Sequence, residues 1–207
     1  MFAGITQGLF PVVWVQRFED YTAYKVRFDD RILNNLEIGA SISIDGVCQT
    51  VVSVDRDVVL LNAGLETLKK TTLDDLFVNR QVSIERSARY GTEIGGHQMF
   101  GHVFGVANIV RHQATGNNLL LTFECSKEMM PYLFVKGFVG VDGSSLTVND
   151  VQLQERRFSV NLIPHTIKVT GFKNKKVRDR VNIELDATTV TIVDTIMRMG
   201  LKKLFES

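Results

Sequence analysis

Four side chains in this sequence have the chemistry to hold a polar ring or to move a proton: Cys48 in "SIDGVCQTVVSV", Ser145 in "GVDGSSLTVNDV", and His97 and His102 in "HQMFGH". A thiol or hydroxyl can hydrogen-bond a bound molecule or assist addition to it, but by sequence alone neither is a free-standing nucleophile. Imidazole titrates nearest neutrality, which makes the histidines the candidate proton carriers. In a strand, the spacing of His97 and His102 puts them on opposite sides, and no cysteine cluster stands near to complete a shared metal site. The competing readings are structural: a small buried hydrophobe for Cys48, and a cap on a turn for the histidines.

Cys48 and Ser145 occupy matching places in an internal repeat. Aligning "ASISIDGVCQTVVSV" with "GFVGVDGSSLTVNDV" puts Asp45 on Asp142, Gly46 on Gly143, Cys48 on Ser145, Thr50 on Thr147 and Val51 on Val148. Further on, "ETLKKTTLDDLFVNRQVSIERS" answers "HTIKVTGFKNKKVRDRVNIELD", with Thr67 on Thr166, Lys69 on Lys168, Val82 on Val181 and Glu85 on Glu184. "MFAGI" at the start answers "MFGHV" from Met99 to Val103. Three pairs in one order, separated by about half the chain, make two copies of one module.

Each copy is rich in Val, Ile, Thr and Phe alternating with polar residues, in runs such as "YKVRF", "VVLLN", "QVSIERS", "NLLLTFE", "FSVNLI" and "RVNIELD". Short strands of this kind within fewer than about a hundred residues predict a small barrel or sandwich per copy, closed to protect its edges. The boundary falls near "GTEIGGH", residues 91 to 97. At the C-terminus Val193, Ile196, Met197, Gly200, Leu201 and Leu204 recur at helical spacing, which predicts an amphipathic helix that folds back on a barrel or joins a neighbouring subunit.

Composition narrows the classes. The chain has 207 residues, 44% of them hydrophobic, enough for one large or two small cores. A formal charge of +1 gives no global field to draw nucleic acid, an anionic membrane or an acidic partner. The basic run "KNKKVRDR", residues 173 to 180, reads as a solvated hairpin, with no aromatic stacking face beside it, so no nucleic-acid partner is expected. The two cysteines, Cys48 and Cys125, permit at most one disulfide and suit a reducing compartment. "MFAGITQGLFPVVWV" has no basic lead and carries Gly and Pro, unlike a signal peptide or membrane span. A cytoplasmic protein without membrane partners is the expectation.

Taken together, "MFAGI", "DGVCQTV", "ETL", "IGGHQMFGHV", "KGFVGVDGSSLTV", "LIPHT" and "DRVNIELD" resemble the trimeric riboflavin synthase family over the length of the chain. The resemblance implies an all-β protein of two similar six-stranded Greek-key barrels in tandem plus a C-terminal α-helix. The N-terminal lumazine-binding barrel would span 1–97, the C-terminal one 98–187, and a trimerisation helix 188–207. It implies dismutation of two 6,7-dimethyl-8-ribityllumazine molecules to riboflavin and 5-amino-6-ribitylaminouracil. Each site would form where the N-barrel of one subunit of a homotrimer faces the C-barrel of the next. No metal or organic cofactor is required, since the C7 methyl of the lumazine is acidic in its own right and the catalysis asks mainly for alignment and a modest base.

Carried onto this sequence, the resemblance makes Cys48, His97, His102 and Ser145 catalytic candidates. It places ligand contacts at Gly4, Ile5, Thr6, Ser41, Cys48, Gln49 and Thr50, and at Asn62, Ala63, Gly64, Leu65, Glu66 and Thr67. Further contacts would be Gly101, His102, Val103, Asp142, Ser145, Leu146 and Thr147, then Asn161, Leu162, Ile163, Pro164, His165, Thr166 and Asp186, with the Gly4–Thr6 and Gly101–Val103 backbones along the pocket rims. Lys136, read as preceding the first strand of the second module, matches a family lysine that reaches across the subunit boundary. The glycines would let a ring approach the rim closely. The threonines offer hydroxyls, although in strands they commonly serve β packing. Two positions depart from commoner family sequences: Phe104 where many members are acidic, and Gln49 where many have Leu. The rival reading is a lumazine or flavin carrier without turnover; such proteins tend to lose the cysteine and histidines that this chain retains.

Overall fold

A computed structural model describes residues 1–200. In the first half, β1 (Gly8–Arg17), β2 (Tyr21–Arg27), α1 (Asp30–Leu33), β3 (Ser41–Ile44), β4 (Val47–Asp55), β5 (Val58–Gly64), α2 (Leu65–Lys70) and β6 (Gln81–Arg86) follow one another. The second half contains β7 (Gly105–Thr115), β8 (Asn118–Glu124), β9 (Phe138–Val141), β10 (Ser144–Gln152), β11 (Arg157–Leu162), α3 (Pro164–Val169), β12 (Arg180–Leu185) and α4 (Ala187–Arg198). Each set of strands closes on itself, in the order β1-β2-β5-β4-β3-β6 and, equivalently, β7-β8-β11-β10-β9-β12. Closure leaves no open edge. The six strand runs read from the sequence fall on β2, β5, β6, β8, β11 and β12, four of them running one residue past the strand's end.

Alternation fills the two interiors. Val12, Tyr24, Val26, Ile42, Ile44, Leu61 and Ile84 are buried in the first barrel, and Ile109, Leu121, Phe123, Val139, Val141, Val160 and Ile183 in the second. Matching register shifts between Val51 and Ser53 on β4 and between Val148 and Asp150 on β10 repeat the same bulge, which bends each strand around its barrel. Asp45-Gly46 and Asp142-Gly143 turn their hairpins with φ of +46° and +81°, and of +44° and +83°. Both are left-handed pairs suited to a two-residue hairpin.

The barrels join through these turns. A Cβ on Gly46 would lie 2.5 Å from the backbone nitrogen of Gly143, so the two turns touch backbone to backbone. Around the contact, Asp45 Oδ1 accepts from Ser83 N and Oδ2 pairs with Arg80 at 2.9 Å. In the second copy Asp142 Oδ1 accepts from Asn182 N, and Oδ2 pairs with Lys175 at 2.8 Å. Asn182 crosses the junction: its Oδ1 accepts from Thr72 N, and its Nδ2 donates to Asp45 O and Thr72 Oγ1. Lys175 therefore leaves the solvated hairpin expected for residues 173 to 180. That run is a 3₁₀ turn (Gly171–Asn174) and loop leading into β12, with its central lysine 21% exposed in a buried ion pair.

Outside the barrels lie two short arms. Phe2 and Met99 exchange backbone hydrogen bonds of 2.7 and 3.0 Å, so the N-terminal arm runs antiparallel to the linker arm. Gly4 and Gly101 have the same φ, +73°, and the same surroundings. This corrects the repeat register: "MFAGI" corresponds to "QMFGH", residues 98 to 102, one residue earlier than the matching Met-Phe letters suggest.

Helix α4 starts at an Asp186 cap, whose Oδ1 accepts from Thr189 N, and packs back on the second barrel through buried Val193 and a 2.6 Å bond from Tyr132 Oη to Asp194. Leu201 and Leu204 of the expected helical stripe lie outside the described residues. None of the described helices is long and apolar enough to cross a membrane.

Asn182→Ala removes the side-chain partners of a buried N–H and a buried carbonyl at the junction. It is expected to lower stability by about 2–4 kcal/mol, measured as the shift in urea unfolding; a loss below about 1 kcal/mol would show that the bridge is dispensable.

Candidate functional site

Strand β4 runs antiparallel to β5 with Val51 opposite Leu61, so Cys48–Thr50 and Asn62–Gly64 lie at one end of the first barrel. Ser41 joins them opposite Thr50 on β3. Leu65, Glu66 and Thr67 continue from β5 into α2 at that end. In the second barrel Val148 faces Val160, which brings Ser145–Thr147 beside Asn161, Leu162 and Ile163, followed by Pro164, His165 and Thr166 on α3. Each barrel thus gathers its predicted residues at one mouth. Thr67 and Thr166 stand on helical turns and not on strands, so β packing does not account for them.

Alternation divides these residues by what they can offer. Thr50, Asn62, Thr147 and Asn161 are exposed at the mouths, while Gln49, Ala63, Leu146 and Leu162 turn into the barrels and leave only backbone groups to a ligand. The unusual Gln49 has a partner: Tyr24 Oη donates to Gln49 Oε1 at 3.0 Å, and Gln49 Nε2 donates to Cys48 O at 2.9 Å. The second copy has Leu121 and Leu146 at these places, so a polar pair in one core replaces an apolar pair in the other. Phe104 lies against Tyr132, ring centroids 5.8 Å apart.

The arms supply the rims, and they cross. Gly4 O accepts from Ser145 N at 2.8 Å, while Gly101 O accepts from Cys48 N at 2.9 Å. Thr6 and Ser144 share a hydroxyl hydrogen bond of 2.9 Å, and Val103 packs against the core of the first barrel. Each arm therefore borders the mouth of the opposite barrel. A Cβ on Gly4 would sit 2.5 Å from Ser145 Cβ, and one on Gly101 2.6 Å from Cys48 Cβ. Close contact between each arm and the opposite barrel requires glycine at both positions.

His97 reaches Ser145 from the linker. Its Nδ1 lies 2.6 Å from Ser145 Oγ, its backbone N–H donates to the same oxygen at 3.0 Å, and its ring stacks on Phe138 at 5.0 Å. Burial lowers the imidazole pKa, against a smaller opposing pull from Asp186, and Nε2 has no partner. A neutral ring can exchange a proton with the serine hydroxyl. Nothing similar stands beside Cys48. His102 is exposed, next to Phe100, and residues 97 to 102 form no strand that would set the two histidines on opposite faces.

Three expected residues lie elsewhere or differently. Asp142 is buried in the junction on Lys175, its carboxylate committed to protein groups. Asp186 caps α4. Lys136 is exposed in the left-handed position of a turn before β9, the third strand of the second barrel and not its first. Cys125 is buried, a free thiol pushed up to about 11 by desolvation, and Cys48 is also free.

Glu85 and Glu184 were missed. Both are buried, and each accepts two backbone N–H groups of its own arm: Glu85 from Ala3 at 2.6 Å and Gly4 at 3.1 Å, Glu184 from Phe100 at 2.6 Å and Gly101 at 3.0 Å. Desolvation pushes Glu85 up to about 7 and raises Glu184, while the N–H donors pull both the other way. The signal was present, since the repeat sets Glu85 on Glu184 at positions where an unpaired carboxylate could not be buried.

The fold and site define a duplicated antiparallel barrel protein whose mouths carry a thiol in one copy and a histidine-paired hydroxyl in the other. The sequence pattern of the lumazine binding domain matches it twice, over residues 3–87 and 100–186. The chain belongs to the riboflavin synthase family of lumazine-binding proteins. It is 39% identical over 200 residues to the riboflavin synthase of Escherichia coli (strain K12), covering 96% of this chain and 93% of that one. With the riboflavin synthase of Buchnera aphidicola subsp. Schizaphis graminum it shares 36% over 205 residues, 99% and 98% of the two chains. Among solved structures, LumP complexed with 6,7-dimethyl-8-(1'-D-ribityl) lumazine superposes with a TM-score of 0.81 at 22% identity, over 90% of this chain and 99% of that one, a likeness of fold.

The depressed His97 pKa has a definite sign. The unfolded chain takes up a proton near pH 6.5 that the folded ring refuses, so stability falls as pH drops below about 6.5. Wild-type protein is expected to lose more of its denaturant midpoint between about pH 7.5 and 5.5 than His97→Gln does. Equal losses would mean that the folded ring charges as readily as the unfolded one.

Proposed function

We infer that this chain is a riboflavin synthase, which dismutates two 6,7-dimethyl-8-ribityllumazine molecules to riboflavin and 5-amino-6-ribitylaminouracil. The observation that carries this reading, beyond kinship, is the unlike pair Cys48 and Ser145–His97 at equivalent mouths. The reaction needs two identical molecules to do different things: one gives up a four-carbon unit and the other accepts it. No outside oxidant or reductant enters, because what one ring loses the other gains. Deprotonation of the C7 methyl is helped by delocalisation into the heterocycle, so a neutral imidazole acting with a hydroxyl is base enough. The larger share of the work is alignment of two rings.

In this reading Ser145, paired with His97, and Cys48 touch the reacting lumazines, His102 is a second proton carrier, and Thr50, Thr67, Thr147 and Thr166 meet polar groups of ribityl chain or pyrimidine. Lys136, exposed on its turn, reaches a ligand held mainly by a neighbouring subunit. The site forms between the N-barrel of one subunit and the C-barrel of the next in a homotrimer. Supporting that assembly, α4 leaves Ile192 and Met199 exposed, and Ile192 lines a groove of about 680 Å³ with Met130, Pro131, Leu133, Phe134 and Leu153. The two free thiols suit a reducing compartment, the cytoplasm.

Incubation with 6,7-dimethyl-8-ribityllumazine is expected to yield riboflavin fluorescence. Binding without turnover would identify a carrier instead. Cys48→Ala and Ser145→Ala should each slow single-turnover riboflavin formation by roughly 10- to 100-fold with assembly intact. The double variant should lose less than the product of the two, as groups acting on one transition state do. Normal rates in both single variants would remove them from the mechanism.

Truncation at Thr189 tests the assembly. It should release monomers in sedimentation and lower activity, because each site then lacks its second barrel. A trimer that survives the truncation would count against the helix.

A further inference from the structure

Cys48 and Ser145 stand in the ladders of their own barrels, but the N–H of each bonds outside its barrel. Ser145 N is fixed by Gly4 O, which belongs to the arm of the first barrel, and Cys48 N by Gly101 O, which belongs to the arm of the second. Each arm is tied in turn to its own barrel by one side chain. Glu85 on β6 takes the N–H groups of Ala3 and Gly4, one on each carboxylate oxygen, and Glu184 on β12 takes those of Phe100 and Gly101 in the same way. Both glutamates are 5% exposed, with their carboxylates turned to the arm N–H groups.

We propose that Glu85 and Glu184 are positioning residues for the reaction, and that they act crosswise: Glu85 sets Ser145 in the second barrel through Gly4, and Glu184 sets Cys48 in the first barrel through Gly101. The proposal rests on the reading that Cys48 and Ser145 serve the two lumazines.

The chemistry of the clamp makes it specific for a carboxylate. Two N–H donors converge on two acceptor oxygens, a fork that only an ionised Asp or Glu supplies among the side chains. An amide of the same shape turns one acceptor into a donor that faces another donor. The arm must then shift at Gly4 or Gly101, where the contacts to Ser145 Cβ and Cys48 Cβ leave no slack. Because the same glycine donates its N–H to the glutamate and accepts with its carbonyl from the opposite mouth, a shift at one is delivered to the other. The coupling therefore runs within one chain between two mouths that take part in different reaction centres.

The test uses the full chain with Glu85→Gln, Glu184→Gln and the shorter carboxylates Glu85→Asp and Glu184→Asp. Backbone amide resonances of Cys48 and Ser145 report the two mouths without reference to activity. Glu85→Gln is expected to move the Ser145 amide and leave that of Cys48 in place, and Glu184→Gln to do the reverse. In both, kcat should fall by about 10- to 100-fold with a smaller change in KM, since alignment is lost while most ligand contacts remain. The Asp variants should recover part of kcat, as they keep both acceptors on a shorter stem. A shift confined to the glutamate's own barrel, an unmoved opposite amide, or an unchanged kcat overturns the proposal. If a Gln variant fails to fold, the matching Asp variant must show the crosswise shift. Failure of both to fold would make the clamp a general requirement of the fold and overturn the positioning role. Normal turnover in Cys48→Ala and Ser145→Ala would sink the underlying functional reading, while the crosswise amide shifts would still stand.

Discussion

Much of the molecule follows from one contact, the backbone of the Asp45-Gly46 turn pressed against that of Asp142-Gly143. Closed barrels have no sheet edge to share, and here the two approach most closely where glycine backbone meets glycine backbone. The approach buries Asp45 and Asp142, and a carboxylate taken out of water must be paired or neutralised. Arg80 and Lys175 answer that need, and desolvation together with the neighbouring Asp142 raises the Asp45 pKa against the pull of Arg80. The docking also sets the two arms side by side, close enough for Gly4 and Gly101 to bond across to Ser145 and Cys48.

On this symmetric frame the chemistry is asymmetric, and each difference has a local cause. Asp45 pairs with an arginine and Asp142 with a lysine, while Asn182 stands where the first copy has Ser83 and uses its extra reach to bridge the junction. Tyr24 and Gln49 satisfy each other in one core, and Leu121 and Leu146 fill the other without polar groups. Such swaps preserve volume and hydrogen bonding together, which is how a core tolerates them. His97 is the difference with most consequence. It lies in the linker just ahead of the second arm, and its ring reaches Ser145 at the second mouth.

The sequence revealed local features better than distant ones. Two-residue alternation marked strands such as β8 and β12, and the paired Asp-Gly turns marked the repeat, because both properties belong to a few adjacent residues. Helical spacing likewise marked α4. Asp142 looked like a ligand group because its commitment to Lys175 and Asn182 joins residues far apart in the chain. The run around Lys175 looked like an ordinary basic surface for the same reason. The arm register slipped by one because Met-Phe recurs in letters, while position is fixed by where a left-handed glycine must lie to meet the opposite barrel. Glu85 and Glu184 were visible as an aligned pair but gave no sign of what they hold, since backbone N–H groups have no letter in a sequence.

The disposition of these groups fits the demands of the reaction. A substrate that stabilises its own carbanion asks the protein for little acid–base strength and for much geometrical control, because two rings must be presented at one relative position. Side chains on flexible loops would supply such control poorly. Here Cys48–Thr50 and Ser145–Thr147 stand on strands of closed barrels, and the arm backbone at each rim is fixed by bidentate carboxylates buried from solvent. Placing each rim on the arm of the other barrel has a further effect: neither mouth is complete until both barrels have folded and docked. A chain with only one barrel in place would therefore lack a finished rim at either mouth.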